Sequence, residues 1–222
     1  MACANTVEHE WVNSNAIFYQ KDNLVFAVVL KNASTYYQTL LEKFNDWQLV
    51  TLDTINWEEN YVFGFITDPV ERYLKGLTED LYGKFKTVND VISYLEMSEN
   101  STVISFHSIP LTAWFGKYAY KINWVPLDQI ESGDDYLKNL CEKNNVSLTI
   151  PKNIDKHVST SDKLKFYHTI KSKLNNFHHT FWLTYAADID LYTNASLKFF
   201  NSETVIDSEP NKSKLDKFEE SV

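Results

Sequence analysis

The run Leu24-Val25-Phe26-Ala27-Val28-Val29-Leu30 is continuously apolar, rich in β-branched residues, and preceded by the polar Lys21-Asp22-Asn23. A short run of this kind predicts a strand buried on both faces, the pattern of a parallel central strand. The polar segment Lys31-Asn32-Ala33-Ser34-Thr35 follows it, and over residues 36–44 Tyr37, Leu40, Leu41 and Phe44 recur at helical spacing. The same order of strand, loop and helix then repeats. Residues 48–52 predict a short strand and 61–66 a longer one, ending at Thr67-Asp68-Pro69. Asp68 suits a helix N-cap and Pro69 the first helical turn, so residues 70–81 should be helical.

Thr87 reads as the cap of a further helix over 87–97, with Val88, Val91, Ile92 and Leu95 as its apolar stripe. Residues 103–106 predict another strand leading into His107-Ser108-Ile109-Pro110. Residues 118–125 alternate apolar and polar positions, as an edge or half-exposed strand does. Helices are expected over 134–144, 161–174 and 176–192. The pattern predicts an α/β fold of three layers, a mostly parallel central sheet flanked by helices, with a helix-rich C-terminal half. No Pro, Gly or Ser-rich linker divides the chain, so residues 1–200 read as one domain and the polar stretch 201–222 as a flexible tail.

Composition narrows the chemistry. Aromatic residues make up 15% of the chain and apolar residues 44%, enough to fill a core. Cys3 and Cys141 are too few and too far apart for a disulfide framework or zinc site. Adjacent His178 and His179 would point to different helix faces, and no metal is expected. Glu8, His9 and Glu10 interrupt the N-terminus where a secretory signal needs an apolar stretch, and no segment approaches a membrane span. The expectation is a soluble cytoplasmic protein with reduced thiols and no membrane partner. A net charge of −9 argues against nucleic acid as the main ligand, so any anion site must be local. Among the 21 basic residues Arg72 is the only arginine.

A buried parallel strand feeding a polar loop and a helix directs backbone N–H groups and the positive helix end to the carboxyl edge of the sheet. Lys31 adds a positive charge there, and Ser34 and Thr35 add hydroxyl donors, a set suited to phosphate or sulfate. The plainer alternative is an ordinary turn with Ser34 as cap and Lys31 in solvent. The loop lacks the glycines of Gly-x-x-x-x-Gly-Lys-Ser/Thr, which disfavours a kinase or ATPase of that type.

Lys31-Asn32-Ala33-Ser34-Thr35 resembles the 5′-phosphosulfate loop of sulfotransferases that use 3′-phosphoadenosine 5′-phosphosulfate (PAPS), with Leu30 in place of the usual proline. Thr67-Asp68-Pro69-Val70-Glu71-Arg72-Tyr73-Leu74-Lys75 resembles their 3′-phosphate segment, usually Arg-Asp-Pro-x-x-Arg-x-x-Ser-x-Tyr. Asp68, Pro69 and Arg72 stand in register, whereas Thr67 replaces the arginine and Lys75 the serine. The two roles are expected to have exchanged, Lys75 supplying charge and Thr67 a hydroxyl. His107-x-x-Pro110 with Trp114, and Tyr185, Asp188, Leu191 and Tyr192, are similar to later segments of the carbohydrate-type members. The resemblance implies a P-loop-like fold and sulfuryl transfer from PAPS to a hydroxyl or amine of a small molecule or carbohydrate. The cofactor would be held by Lys31, Asn32, Ala33, Ser34, Thr35, Thr67, Asp68, Arg72 and Lys75. For Arg72, a buried pair with Asp68 or Glu71 is an equal expectation.

In that reaction Lys31 would stabilise charge on the departing nucleotide, and a base would take the acceptor proton. Candidates are His107 and the acids Asp53, Glu58 and Glu59, of which His107 and Glu59 are preferred. Trp57, Trp114 and Trp124 are either sugar-stacking platforms or core. The alternative function is a protein that keeps the fold and binds a nucleotide or a partner without turnover.

Overall fold

A computed structural model of the chain describes residues 16–85, 87–97, 106–152, 154, 160–173 and 179–206. Five strands form one sheet in the order β3-β1-β2-β4-β5: β1 Ile17–Lys21, β2 Leu24–Val28, β3 Gln48–Val50, β4 Tyr61–Ile66 and β5 Asn123–Pro126. β2, β4 and β5 are parallel, but β1 runs antiparallel to both β2 and β3. The sheet is therefore mixed, which corrects the expectation of a mostly parallel one. β1 is responsible. The Asp22-Asn23 pair that looked like a lead-in turn is the two-residue loop of a hairpin, with Lys21 facing Leu24 across it and Asp22 at φ 52°. Asp and Asn tolerate that left-handed region better than other side chains do.

Strand alternation makes the layers. Val25, Ala27, Val62 and Ile66 face a core shared with Leu111, Phe115, Leu191 and Ala195. Leu24, Phe26, Val28, Phe63 and Phe65 face the opposite core with Tyr37, Leu40, Leu41, Leu137 and Cys141. Helices α1 Ser34–Asn45, α2 Pro69–Leu81, α3 Val88–Met97, α4 Leu111–Phe115, α5 Gly133–Lys143, α6 Ser161–Lys173 and α7 His179–Ile206 complete the described chain. Thus α1 and α5 cover one face of the sheet, and α4 with the middle of α7 covers the other. A third cluster lies beside the sheet, where Tyr73, Leu74 and Leu77 of α2 meet Val91, Ile170, Phe181 and Tyr185.

Several boundaries differ from the sequence reading for local reasons. Residues 118–125 divide into a 3₁₀ segment, Gly116–Lys121, and β5, because Tyr118 stacks on Trp57 while the Trp124 indole N–H donates to the Ala119 carbonyl at 2.7 Å. Phe106 belongs to a 3₁₀ turn, Phe106–Ser108, rather than to a strand; residues 103–105 lie outside the described residues, as do 174–178 and 207–222. Helix α7 continues past position 201 to Ile206, its Phe199 packing against the second core. Trp114 and Trp124 are buried in the first core and half-buried Trp57 packs on it, so these rings are structural. Among the described residues no helix is long and apolar enough to cross a membrane.

Candidate functional site

Because β2 and β4 are adjacent and parallel, both deliver their following loops to one rim of the sheet, and α1 and α2 start there. A cleft of about 730 Å³ opens at this rim. Its floor includes Lys31, Ala33, Ser34 and Thr35 from the first loop, and Lys75, Thr78 and Glu79 project from α2. The 75, 78, 79 spacing places these three side chains on one helical face. His107, the α5 entry Ser132-Gly133-Asp134, and Lys163 and Tyr167 of α6 close the remaining sides.

The first loop is held in an uncommon shape. Lys31 and Ala33 both take left-handed φ values, 67° and 56°. Outside glycine such values are sparse and are sustained only where surrounding structure fixes them. Here Asn32 does the fixing. Its side chain is 2% exposed, donates to the Phe65 carbonyl at 3.0 Å, and accepts the Thr67 hydroxyl at 2.7 Å. Ala33 at the N-cap of α1 carries no side-chain acceptor, so the first-turn amides receive no side-chain cap and the positive helix end faces the cleft.

The second motif divides between scaffold and cleft. Oδ1 of Asp68 accepts from the amides of Val70 and Glu71 at 2.8 and 3.1 Å, the N-cap role expected of it. Arg72 is 1% exposed and donates to the Ile109 carbonyl at 2.7 Å and to Asp188 at 3.2 Å. It is thus a buried pair, but with Asp188 rather than with Asp68 or Glu71. Asp188 also accepts from the amides of Leu111 and Thr112 and from the Thr112 hydroxyl. Of the nine expected cofactor residues, Lys31, Ala33, Ser34, Thr35 and Lys75 line the cleft, while Asn32, Thr67, Asp68 and Arg72 stand behind it.

Electrostatics sharpen the picture. The Lys31 ammonium donates to Glu79 Oε2 at 2.9 Å, and Lys163 donates to the same oxygen. Hydrogen bonds from Lys163 and Lys31 outweigh the effect of burial and lower the Glu79 carboxyl from 4.5 to about 2. One helical stretch earlier, Glu71 accepts from Lys171 and Tyr167. Burial pushes the Glu71 carboxyl up, yet these two donors hold it below its ordinary value. On the α5 side the Tyr36 hydroxyl donates to Asp134 at 2.7 Å, and burial followed by this contact raises the phenol well above its ordinary value. His107 reaches the cleft with Nδ1 2.7 Å from Oδ1 of the nearly buried Asp80. Such a pairing selects the tautomer with the proton on Nδ1 and leaves Nε2 as the acceptor.

The acids expected as alternative bases sit elsewhere. Glu59 is exposed, accepts from Asn56 Nδ2 at 2.7 Å, and precedes β4, at the end of that strand opposite the cleft. Glu58 shares this loop, and Asp53 belongs to the exposed 3₁₀ turn after β3, Leu52–Thr54. Among the described residues there is no group of three His, Cys, Asp or Glu side chains placed to hold a metal ion. Glu79 and Asp80 were legible only in hindsight, from their place on the Lys75 helix. Lys163 and Asp134 come from distant segments, and no local signal marks them.

No protein-family model, curated protein or solved structure matches this chain. The family resemblance rests on the motifs quoted above.

Proposed function

We propose that the chain is a PAPS-dependent sulfotransferase with a P-loop-like nucleotide site, acting on a hydroxyl or amine of a small molecule or carbohydrate. One observation carries this reading: Lys31 and Lys75, from two successive strand-loop-helix units, open onto one cleft beside the uncapped end of α1. A ligand with anionic groups at two ends is the chemistry such a cleft accepts.

In this reading the α1 amides, Ser34 and Thr35 hold the phosphosulfate end, and Lys75 holds the second phosphate. Lys31 stabilises the negative charge that develops on the bridging oxygen as its bond to sulfur breaks. His107, oriented by Asp80, takes the acceptor proton at Nε2 while the acceptor oxygen or nitrogen bonds to sulfur. The electron pair of the broken bond leaves with 3′-phosphoadenosine 5′-phosphate. A second reading, nucleotide binding without turnover, draws support from Glu79, whose carboxylate neutralises Lys31.

The test is incubation with PAPS and a panel of hydroxyl and amine acceptors, following release of 3′-phosphoadenosine 5′-phosphate, alongside calorimetry with that product. Acceptor-dependent release that falls about 100-fold or more in Lys31→Ala supports transfer. Binding without release supports the second reading, and absence of binding overturns both.

A further inference from the structure

Lys163 is the best shielded of the cleft's ion-paired lysines, with a side chain only 15% exposed against 20% for Lys31. It belongs to α6, a helix that otherwise presents Ser161, Asp162, Leu164 and Lys165 to solvent. Long ammonium side chains on such a helix normally extend outward, because water solvates them better than protein does. This one turns inward to Glu79 Oε2, the oxygen already taken by Lys31, although two like charges drawn onto one atom repel each other. A single anionic oxygen shared by two ammonium groups is also the arrangement that a phosphate or sulfate oxygen adopts between two lysines.

We propose that Lys163 and Lys31 together form the cationic clamp for the anionic end of the cleft's ligand, and that Glu79 is a built-in occupant which that ligand displaces. The proposal rests on the phosphate-binding reading above and adds to it a residue from α6 and a competing carboxylate. The low carboxyl value of Glu79 keeps the occupant charged across the neutral range, so protonation cannot release the clamp there. Release follows when an incoming anion of greater charge offers the two ammonium groups more than one carboxylate does. Lys75, which no described carboxylate holds at hydrogen-bond distance, remains for the ligand's other end.

The test is calorimetry on the full chain with inorganic pyrophosphate and, separately, 3′-phosphoadenosine 5′-phosphate, for the wild type, Lys31→Ala, Lys163→Gln and Glu79→Gln. Urea midpoints and circular dichroism report whether each variant is folded. The clamp predicts that Lys163→Gln weakens both ligands about tenfold or more, and that Glu79→Gln tightens them severalfold by removing the competitor. Unchanged or weaker binding in folded Glu79→Gln overturns the proposal. So does nucleotide binding that falls in Lys31→Ala yet is unaffected in Lys163→Gln, a result that leaves the nucleotide reading standing. Pyrophosphate binding that tightens in Glu79→Gln without any nucleotide binding supports the clamp and removes the nucleotide instead.

Discussion

The Arg72 guanidinium and the Asp188 carboxylate, 116 residues apart in sequence, meet at 3.2 Å where neither side chain is more than 2% exposed. The pair ties α2 to α7, and Asp188 simultaneously ties both to the start of α4 through two backbone amides. One nitrogen, Arg72 Nη2, donates to both the Ile109 carbonyl and Asp188, while Nη1 is buried with no hydrogen-bond partner among the described residues.

Arg72→Ala strands the Asp188 carboxylate in the interior and should cost about 3–5 kcal/mol. Arg72→Lys keeps the charge, and its one ammonium can stand in for the single nitrogen that makes both bonds, so a smaller loss than in Arg72→Ala is expected. Urea denaturation of the three proteins, with slopes compared to verify a common unfolded state, measures both.

Asn32 and Thr67 join the two site loops through one buried hydrogen bond of 2.7 Å. Thr67→Val conserves shape but leaves the Asn32 carbonyl oxygen without this donor, for an expected loss of about 1–3 kcal/mol. In a double-mutant cycle with Asn32→Ala the two changes should fall short of additivity by about 0.5 kcal/mol or more. Simple additivity would show that the loops are energetically independent.

Gly76 marks the closest approach of α2 to the 3₁₀ turn bearing His107. A Cβ at that position would lie 2.5 Å from the His107 carbonyl oxygen, so Gly76→Ala must push backbone against backbone. It should lower the melting temperature and displace His107 from the cleft despite the better helix propensity of alanine. Gly83→Ala makes a useful contrast, since a Cβ there meets nothing within 4 Å and only its φ of 83° penalises the change, at about 1 kcal/mol.

Glu79 should also set part of the acid sensitivity. Its folded value of about 2 lies below the ordinary 4.5, so its contribution to stability is complete above the ordinary value. That contribution disappears as pH falls through the window between the two values. Urea midpoints of the wild type should therefore approach those of Glu79→Gln as pH drops from about 5 to about 2. A gap that persists at the acid end would place the stabilisation elsewhere.

The crossover units were readable because their signals are local. The apolar run Leu24 to Leu30 and the Asp68-Pro69 pair each define an element without help from distant residues, and β2, β4, α1 and α2 lie close to where those signals put them, β2 ending two residues early at Val28. β1 was hidden because Ile17 to Lys21 is short, and its pairing depends on a hairpin loop without the usual glycine. At the site, Lys31 and Lys75 could be named from loop and helix position. Nothing in the sequence around Lys163, however, says that α6 lies across α2, since that contact depends on Ile170 and Phe166 packing against residues of α2 nearly a hundred positions earlier.

Glu79 with Lys163 and Glu71 with Lys171 make two rungs between α2 and α6, each pair eight positions from the next on both helices, counted in opposite directions. Such a ladder admits few registers. Sliding α6 by one turn, about 5.4 Å, would bring Tyr167 opposite Glu79 and undo both rungs together. The two rungs thereby set where α6 lies along α2, and with it how far Lys163 and Tyr167 stand over the cleft.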